Sequence, residues 1–333
     1  MKFSINNKPI DERIAPYIIA EIGINHDGNF DKAMRLVEAA AATGADAVKF
    51  QTYQTSKLVS SDSEYFELLR SFELTAKQYE TLFKHAKAHN IDAFSACFDE
   101  ASAKMWNDFD APAFKIASGD ITHHRLLKIL ASFNKPLILS TGASSMQDIS
   151  EALECMQKVN PDVQVALLHC VSKYPTQPNE ANLECMKTLG VFNKVVGFSD
   201  HTEGLVVPLA AVARGASLIE KHFTLDKNDD GPDHKLSADP AEMAELVRLS
   251  KIVASCIGSG EKKLVEGEAT QTAIRRSIIL TTPVAAGQTI DEHMLETTRP
   301  ATGVSSAGYA DIVGKQARHD FEAGYRIQPA DVL

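Results

Sequence analysis

"YIIAEIGINHDGNFDKAMRLVEAAAATGADAVKFQT", Tyr17 to Thr52, decides the fold. It opens on a short apolar run, turns through a polar segment, and continues as the amphipathic stretch "DKAMRLVEAAAATG", with a glycine at its C-terminal end. It closes on a second apolar run, "DAVKFQT". Short runs that are apolar almost throughout suit strands buried on both faces, as in parallel sheets. The stretch therefore reads as strand, helix, parallel strand.

The same unit recurs along the chain. Eight such runs occur up to residue 258: "YIIAEIG", "DAVKFQT", "DAFSACF", "AFKIAS", "PLILSTG", "VALLHCV", "VVGFSDH" and "SLIEKHF". Eight repeats over about 250 residues fit a closed α/β (β/α)8 TIM barrel better than an open doubly wound sheet. A polar, glycine-containing segment at 259–274 reads as a linker, and residues 275–333 carry short strand-like pieces, Gly/Pro turns and no further repeat. That tail is expected to be a separate small domain.

Composition narrows the function. The 333 residues are 44% apolar and 23% charged, as in a globular protein with a large core. A formal net charge of -10 and the lack of a Lys/Arg-rich run argue against nucleic acid or an anionic membrane surface as partner, so an anionic substrate needs a local basic pocket. The N-terminus has no apolar signal-like region and no long apolar run follows, which makes a cytoplasmic protein the expectation. Five scattered cysteines without a CxxC pair read as reduced, mostly buried thiols.

Chemistry in such barrels sits where the strands end. Read as one ring, those ends offer Glu21, Lys49 with Gln51, Lys115 with Ser118, Ser140, His169 with Tyr174, Ser199 with His201, and Glu220 with His222. His201 and His222 stand at equivalent ends of the last two runs, and two neutral imidazoles so placed can grip one divalent ion. Lys49 and Lys115 interrupt apolar strands, so each must face a negative charge: a substrate phosphate or carboxylate, or a barrel acid such as Glu21. A Schiff-base lysine is the other chemical use of such a residue. Glu21, followed by a loop with Asn25, His26 and Gly28, is a candidate general acid or base.

"DKNDDGPDHKLS", Asp226 to Ser237, opens like a calcium loop but has Ser237 where a bidentate glutamate is needed. It reads instead as a barrel-top loop that supplies Asp233 or His234 to a substrate. His123, His124 and the acidic run "DSEYFE" read as solvated faces.

In order along the chain, the Tyr17–Thr52 stretch, "FKIASGD", "ILSTG", "LLHCVSKYPT", "VGFSDHT", "IEKHFTLDKNDDGPDH" and "TRPATG" resemble the sialic acid synthase family, the nonulosonate synthases that condense phosphoenolpyruvate. The resemblance implies a (β/α)8 barrel followed by an antifreeze-like SAF domain of β-clip type. It implies a transferase that joins phosphoenolpyruvate to N-acetylmannosamine or 2,4-diacetamido-2,4,6-trideoxymannose, giving a nine-carbon sugar acid and phosphate for cell-surface polysaccharide. The products in the family are N-acetylneuraminate, legionaminate and pseudaminate, and "GPDH" favours the first two branches. Carried onto this chain, His201 and His222 would hold Mn2+ or Mg2+. Lys49, Lys115, Ser118, Ser140 and Ser199 would hold phosphoenolpyruvate, with Lys49 and Lys115 counted together with Glu21 in the catalytic set. Gln51, Tyr174 and Asp233 would meet the sugar, and Glu21 would be the acid/base residue. Arg299 would reach the partner's sugar in a domain-swapped homodimer.

Three positions depart from the family pattern. Asp120 stands in "SGD" where many members have glutamate, Ala96 in "SACF" lacks a hydroxyl, and Ser172 follows "HC" where asparagine or threonine is common. A class I aldolase and a non-catalytic, carbohydrate-binding or morphogenetic homologue remain the alternatives. Retention of both lysines and both histidines counts against the second, because unpaired buried charge is costly.

Overall fold

The computed structural model describes residues 3–11, 14–268 and 270–333. The chain opens with a short antiparallel hairpin, β1 (Ser4–Ile5) against β2 (Lys8–Pro9). Phe3, Ile5 and Ile10 enter the main core, while Ser4 N donates to Gln164 Oε1 at 3.1 Å, Asn6 Nδ2 donates to Asp92 Oδ1 at 3.0 Å, and Lys8 pairs with Asp46. Each of those partners lies at or just before the start of a barrel strand, so the hairpin closes the N-terminal end of the barrel. The sequence reading contained no such element.

Eight parallel strands follow: β3 (Tyr17–Gly23), β4 (Ala47–Thr52), β5 (Asp92–Cys97), β6 (Phe114–Ile116), β7 (Leu137–Ser140), β8 (Val165–Cys170), β9 (Val195–Asp200) and β10 (Leu218–His222). They close in sequence order, with β10 pairing back onto β3. These are the eight apolar runs of the sequence, and the TIM barrel expected from them is the observed architecture.

The first connection shows how sequence sets local structure. Asn29 caps the helix Phe30–Thr43 by accepting from Lys32 N at 2.9 Å, and Gly44 ends it in the left-handed region at φ +80°. Leu36, Val37 and Ala40, spaced three and four apart, bury the inner face of that helix. Next to it, Phe50, Tyr79 and Trp106 pack with ring centroids about 6 Å apart, and Trp106 Nε1 donates to Thr52 Oγ1 at 2.9 Å, so the indole is buried without an orphaned donor.

By contacts the chain divides into two units, Met1–Ser259 and Gly260–Leu333. The second has its own small core of Ile278, Leu280, Val284, Ile290, Leu295, Ile312, Ala317, Phe321 and Ile327. Among its described residues one regular sheet pairs β11 (Ser277–Leu280) with β12 (Leu295–Thr298), and isolated bridges tie the remaining turns together. Among the described residues no helix is long and apolar enough to cross a membrane.

Candidate active site

Strand register brings the ring together. Glu21 is the in-register neighbour of Lys49 on one side and His222 on the other, and Glu220 is the neighbour of Ser199. Alternate residues of a strand face opposite sides. Lys49 with Gln51, Ser199 with His201, and Glu220 with His222 therefore share the inner side two by two. A cavity of about 240 Å³ opens at this end, lined by Glu21, Lys49, Gln51, Lys115, Ser118, Ser140, Tyr174, Ser199, His201 and His222. Glu220, Cys170, Ala96 and Ser172 line it as well.

Charge is concentrated and balanced there. Lys49 Nζ lies 2.9 Å from Glu21 Oε2 and 3.4 Å from Glu220 Oε2, and Lys115 Nζ lies 3.5 Å from Glu220 Oε1. Ser199 Oγ donates to Glu220 Oε1 at 2.8 Å, and Gln51 Nε2 donates to Glu21 Oε1 at 3.0 Å. Burial alone would lower Lys49, but Glu21 and then Glu220 outweigh it and leave the ammonium above its ordinary range. Burial lowers Lys115; Glu220 opposes the fall and Lys49 adds to it. Burial would raise Glu220, but Lys115 and Lys49 hold its carboxyl below the ordinary range. The ion-pair reading of the lysines is thus realised in the free protein. Two cations and two carboxylates cancel, so an arriving anion must draw the lysines from their carboxylates or bring a cation.

Beside the lysines lies a small polar cradle. Gly142 N donates to Ser118 Oγ at 3.0 Å, Ser118 Oγ contacts Cys170 Sγ at 3.1 Å, and Ser140 Oγ is buried without a hydrogen-bond partner. Gly142 keeps the space open: a Cβ there would stand 2.4 Å from Ser172 Oγ and 2.9 Å from Ser118 Oγ.

The two histidines face each other with ring centroids 5.5 Å apart, and Tyr174 lies 4.1 Å from the His201 ring. His201 Nδ1 bonds the Val171 carbonyl at 2.7 Å, which leaves Nε2 as the lone-pair nitrogen. Burial and then His222 lower His201 to about 3, so its imidazole is neutral at physiological pH. His222 Nδ1 is buried with no hydrogen bond, and its nearest acid, Asp233 Oδ2, is 3.5 Å away. Two imidazoles, that of His201 neutral and that of His222 with an orphaned nitrogen beside a carboxylate, fit a borderline divalent cation.

Other groups of possible ligands differ. Asp27, Asp229 and His234 converge, but Lys32 Nζ lies 2.5 Å from Asp27 and 2.6 Å from Asp229, which makes them an ion-paired cluster. Glu38, His85 and His89 meet on the outer helices, away from the mouth.

Two placements correct the sequence reading. His169 does not join the mouth: its Nε2 bonds the Ala181 carbonyl at 2.8 Å and its ring packs 5.8 Å from Phe198, because the side chain after it, Cys170, takes the inner side. His234 is fully buried between Thr224 and Asp27, so of the pair Asp233 or His234 only Asp233 stands near the histidines. Asp120 pairs with His123 at 3.6 Å. Arg299 lies in the second unit, where Arg326 Nη2 donates to its carbonyl at 3.4 Å. Glu220 was legible as a ring member, but not its place between both lysines. A wider cleft of about 550 Å³ lies outside the ring, shares only Phe98 with it, and mixes exposed charges such as Lys104 and Arg125 with apolar side chains such as Leu126 and Ile129.

Known proteins resemble both units of the chain. A model of the NeuB family matches residues 36–262 and a model of the SAF domain matches residues 275–333. An N,N'-diacetyllegionaminic acid synthase of Campylobacter jejuni is 39% identical, over 92% of this chain and 96% of its own. An uncharacterised protein of Methanocaldococcus jannaschii is 40% identical over 100% of this chain and 99% of its own. The crystal structure of an N-acetylneuraminic acid synthetase from Leptospira borgpetersenii, with citrate bound, superposes with a TM-score of 0.77 at 34% identity, covering 80% of this chain and 94% of that one.

Proposed function

The chain belongs to the NeuB family of synthases, and we propose that it condenses phosphoenolpyruvate with an N-acylated mannosamine-type aldose, releasing phosphate and a nine-carbon 2-keto-3-deoxy sugar acid. The observation that carries this reading is the buried Glu21–Lys49–Glu220–Lys115 cluster, set beside the paired histidines His201 and His222 in one mouth.

Lys115, Ser118, Ser140 and Ser199 hold the phosphate, and Lys49 faces the carboxylate. Gln51, Tyr174 and Asp233 orient the open-chain sugar, with Arg299 supplied by a second copy of the chain in a swapped dimer. His201 and His222 hold a divalent cation, Mn2+ or Mg2+, which when bound supplies Lewis-acid polarisation of the sugar's aldehyde oxygen. The enol carbon of phosphoenolpyruvate forms the new bond to the aldehyde carbon. Water adds to the former enol-phosphate carbon, giving up one proton to Glu21. Glu21 passes that proton to the alkoxide left on the former aldehyde oxygen. The tetrahedral centre then breaks its C–O bond to phosphate, its hydroxyl becomes the keto oxygen and its proton leaves with the phosphate, which departs against the lysines and serines that stabilise its charge.

The test is phosphate release from phosphoenolpyruvate by the purified protein with Mn2+, offered N-acetylmannosamine or 2,4-diacetamido-2,4,6-trideoxymannose. Release that needs both a sugar and the metal supports the synthase, and the preferred sugar gives the branch. Release without sugar, or none with either sugar in a folded, metal-loaded protein, contradicts it. The lowered Lys115 ammonium favours one second reading, a Schiff-base aldolase. Borohydride trapping of pyruvate on Lys115, undiminished by EDTA, would establish that instead.

A further inference from the structure

The loop after β3 and the loop after β10 are laced together at three levels. Nearest the barrel, Asn25 Nδ2 donates to Phe223 O and to Ser237 Oγ, both at 2.9 Å. Next comes His234, with no exposed surface: Nε2 lies 3.1 and 3.2 Å from the two Asp27 oxygens, and Nδ1 lies 2.7 Å from Thr224 Oγ1. Outermost, Lys32 Nζ bridges Asp27 and Asp229. The fit is close, since a Cβ on Gly231 would stand 2.7 Å from the His234 ring and 3.3 Å from Asp27 Oδ1.

Asp233 precedes the clamped histidine directly. Ser237 Oγ donates to the Asp233 carbonyl at 2.6 Å while accepting from Asn25, so the backbone of Asp233 is tied to the first loop through Ser237 as well as through His234. Its carboxylate is the acid that lies 3.5 Å from His222 Nδ1. The lysines and serines of the cradle belong to β4, β6, β7, β9 and the turn at Ser118, and none of those elements takes part in the lacing.

We propose that the Asp27–His234 pair is a positioning clamp for the sugar: it fixes the Asp233 carboxylate beside His222 and leaves the phosphoenolpyruvate cradle untouched. His234 and Asp27 are positioning residues that act through Asp233. The inference rests on the synthase reading and adds to it a separation, in which one lesion weakens one substrate only.

The experiment compares wild type with His234→Leu, which removes both ring hydrogen bonds, and His234→Gln, whose amide can still donate to Asp27. Steady-state KM is measured for the sugar, and phosphoenolpyruvate binding is measured by calorimetry with Mn2+ and no sugar. His234→Leu is expected to raise the sugar KM by about 10- to 100-fold, the usual effect of losing a group that orients a binding residue. His234→Gln is expected to recover most of that loss, with phosphoenolpyruvate affinity unchanged in both variants. An unaltered sugar KM in His234→Leu overturns the clamp, and so does a parallel fall in phosphoenolpyruvate affinity. If circular dichroism shows His234→Leu unfolded, Gly231→Ala, which crowds the pair but keeps both polar groups, must give the same sugar-selective change or the clamp is wrong. Wild-type turnover with insensitive variants sinks the clamp alone, whereas wild type that neither binds phosphoenolpyruvate nor turns over sinks the synthase reading with it.

Discussion

Two groups of buried charge, a wall pair on β9 and β10 and the mouth cluster on β3, β4, β6 and β10, are completed to different degrees. On the wall side, Asp200 and Lys221 are 0% and 1% exposed and 2.7 Å apart. Asp200 Oδ1 also accepts from Thr202 N and Oγ, and Lys221 Nζ also donates to the Thr202 carbonyl at 2.8 Å. In the mouth, Glu21 Oε2, Glu220 Oε2, His222 Nδ1 and Ser140 Oγ are buried without an aligned hydrogen bond, even where a lysine is within ion-pair distance. Buried polar atoms are nearly always satisfied, so a cluster of exceptions marks a place where a ligand supplies the partner. The wall pair holds the strand ends; on the proposed reading, the mouth takes an anion and a cation.

The largest effect should come from the wall. Asp200→Ala leaves Lys221 buried without its carboxylate and should cost about 3–5 kcal/mol of unfolding free energy in urea titrations. A loss near zero would remove the contrast. His26 supplies the next test, since its Nε2 is orphaned as the mouth groups are. Burial lowers His26 from 6.5 to about 4, with Asp27 opposing and Lys32 adding to the fall. The folded state therefore prefers the neutral ring. Its contribution is complete above pH 6.5 and lost as pH falls toward 4, about 3 kcal/mol in all. Unfolding measured across that window should steepen in wild type and flatten in His26→Gln.

In the mouth the loss should move from stability to function. Lys115→Met should lower kcat/KM for phosphoenolpyruvate by at least about 100-fold, roughly 2.7 kcal/mol of transition-state stabilisation. It should cost at most about 1 kcal/mol of folding stability, because burial already disfavours the Lys115 charge and Glu220 keeps Lys49 and Ser199. A stability loss as large as that of Asp200→Ala would erase the distinction. The smallest effect belongs to Gly142→Ala, whose Cβ would crowd Ser118, Cys170 and Ser172: phosphoenolpyruvate affinity should fall by about tenfold, read by calorimetry.

How much of this was legible follows from what each signal depends on. The eight strands were readable because a strand buried on both faces must be apolar almost throughout, and "YIIAEIG" coincides with β3 residue for residue. Lys49 and Lys115 stood out for the same reason, as charges inside apolar runs. The side a residue faces was less visible: His169 and Cys170 are sequence neighbours, and only register against β9 sends the first into the wall and the second into the mouth. The closing hairpin escaped notice because its strands are two residues each, too short for a periodic signal. His234 looked like a ligand until its partner, Asp27, proved to come from 207 residues earlier in the chain.

A crystal structure with phosphoenolpyruvate and Mn2+ bound tests the central claim most directly. Ser140 and His222 should gain their missing partners together: the phosphate against Lys115, Ser118, Ser140 and Ser199, and the cation on His201 and His222. A ligand bound in the outer cleft, with the mouth unchanged, would contradict it.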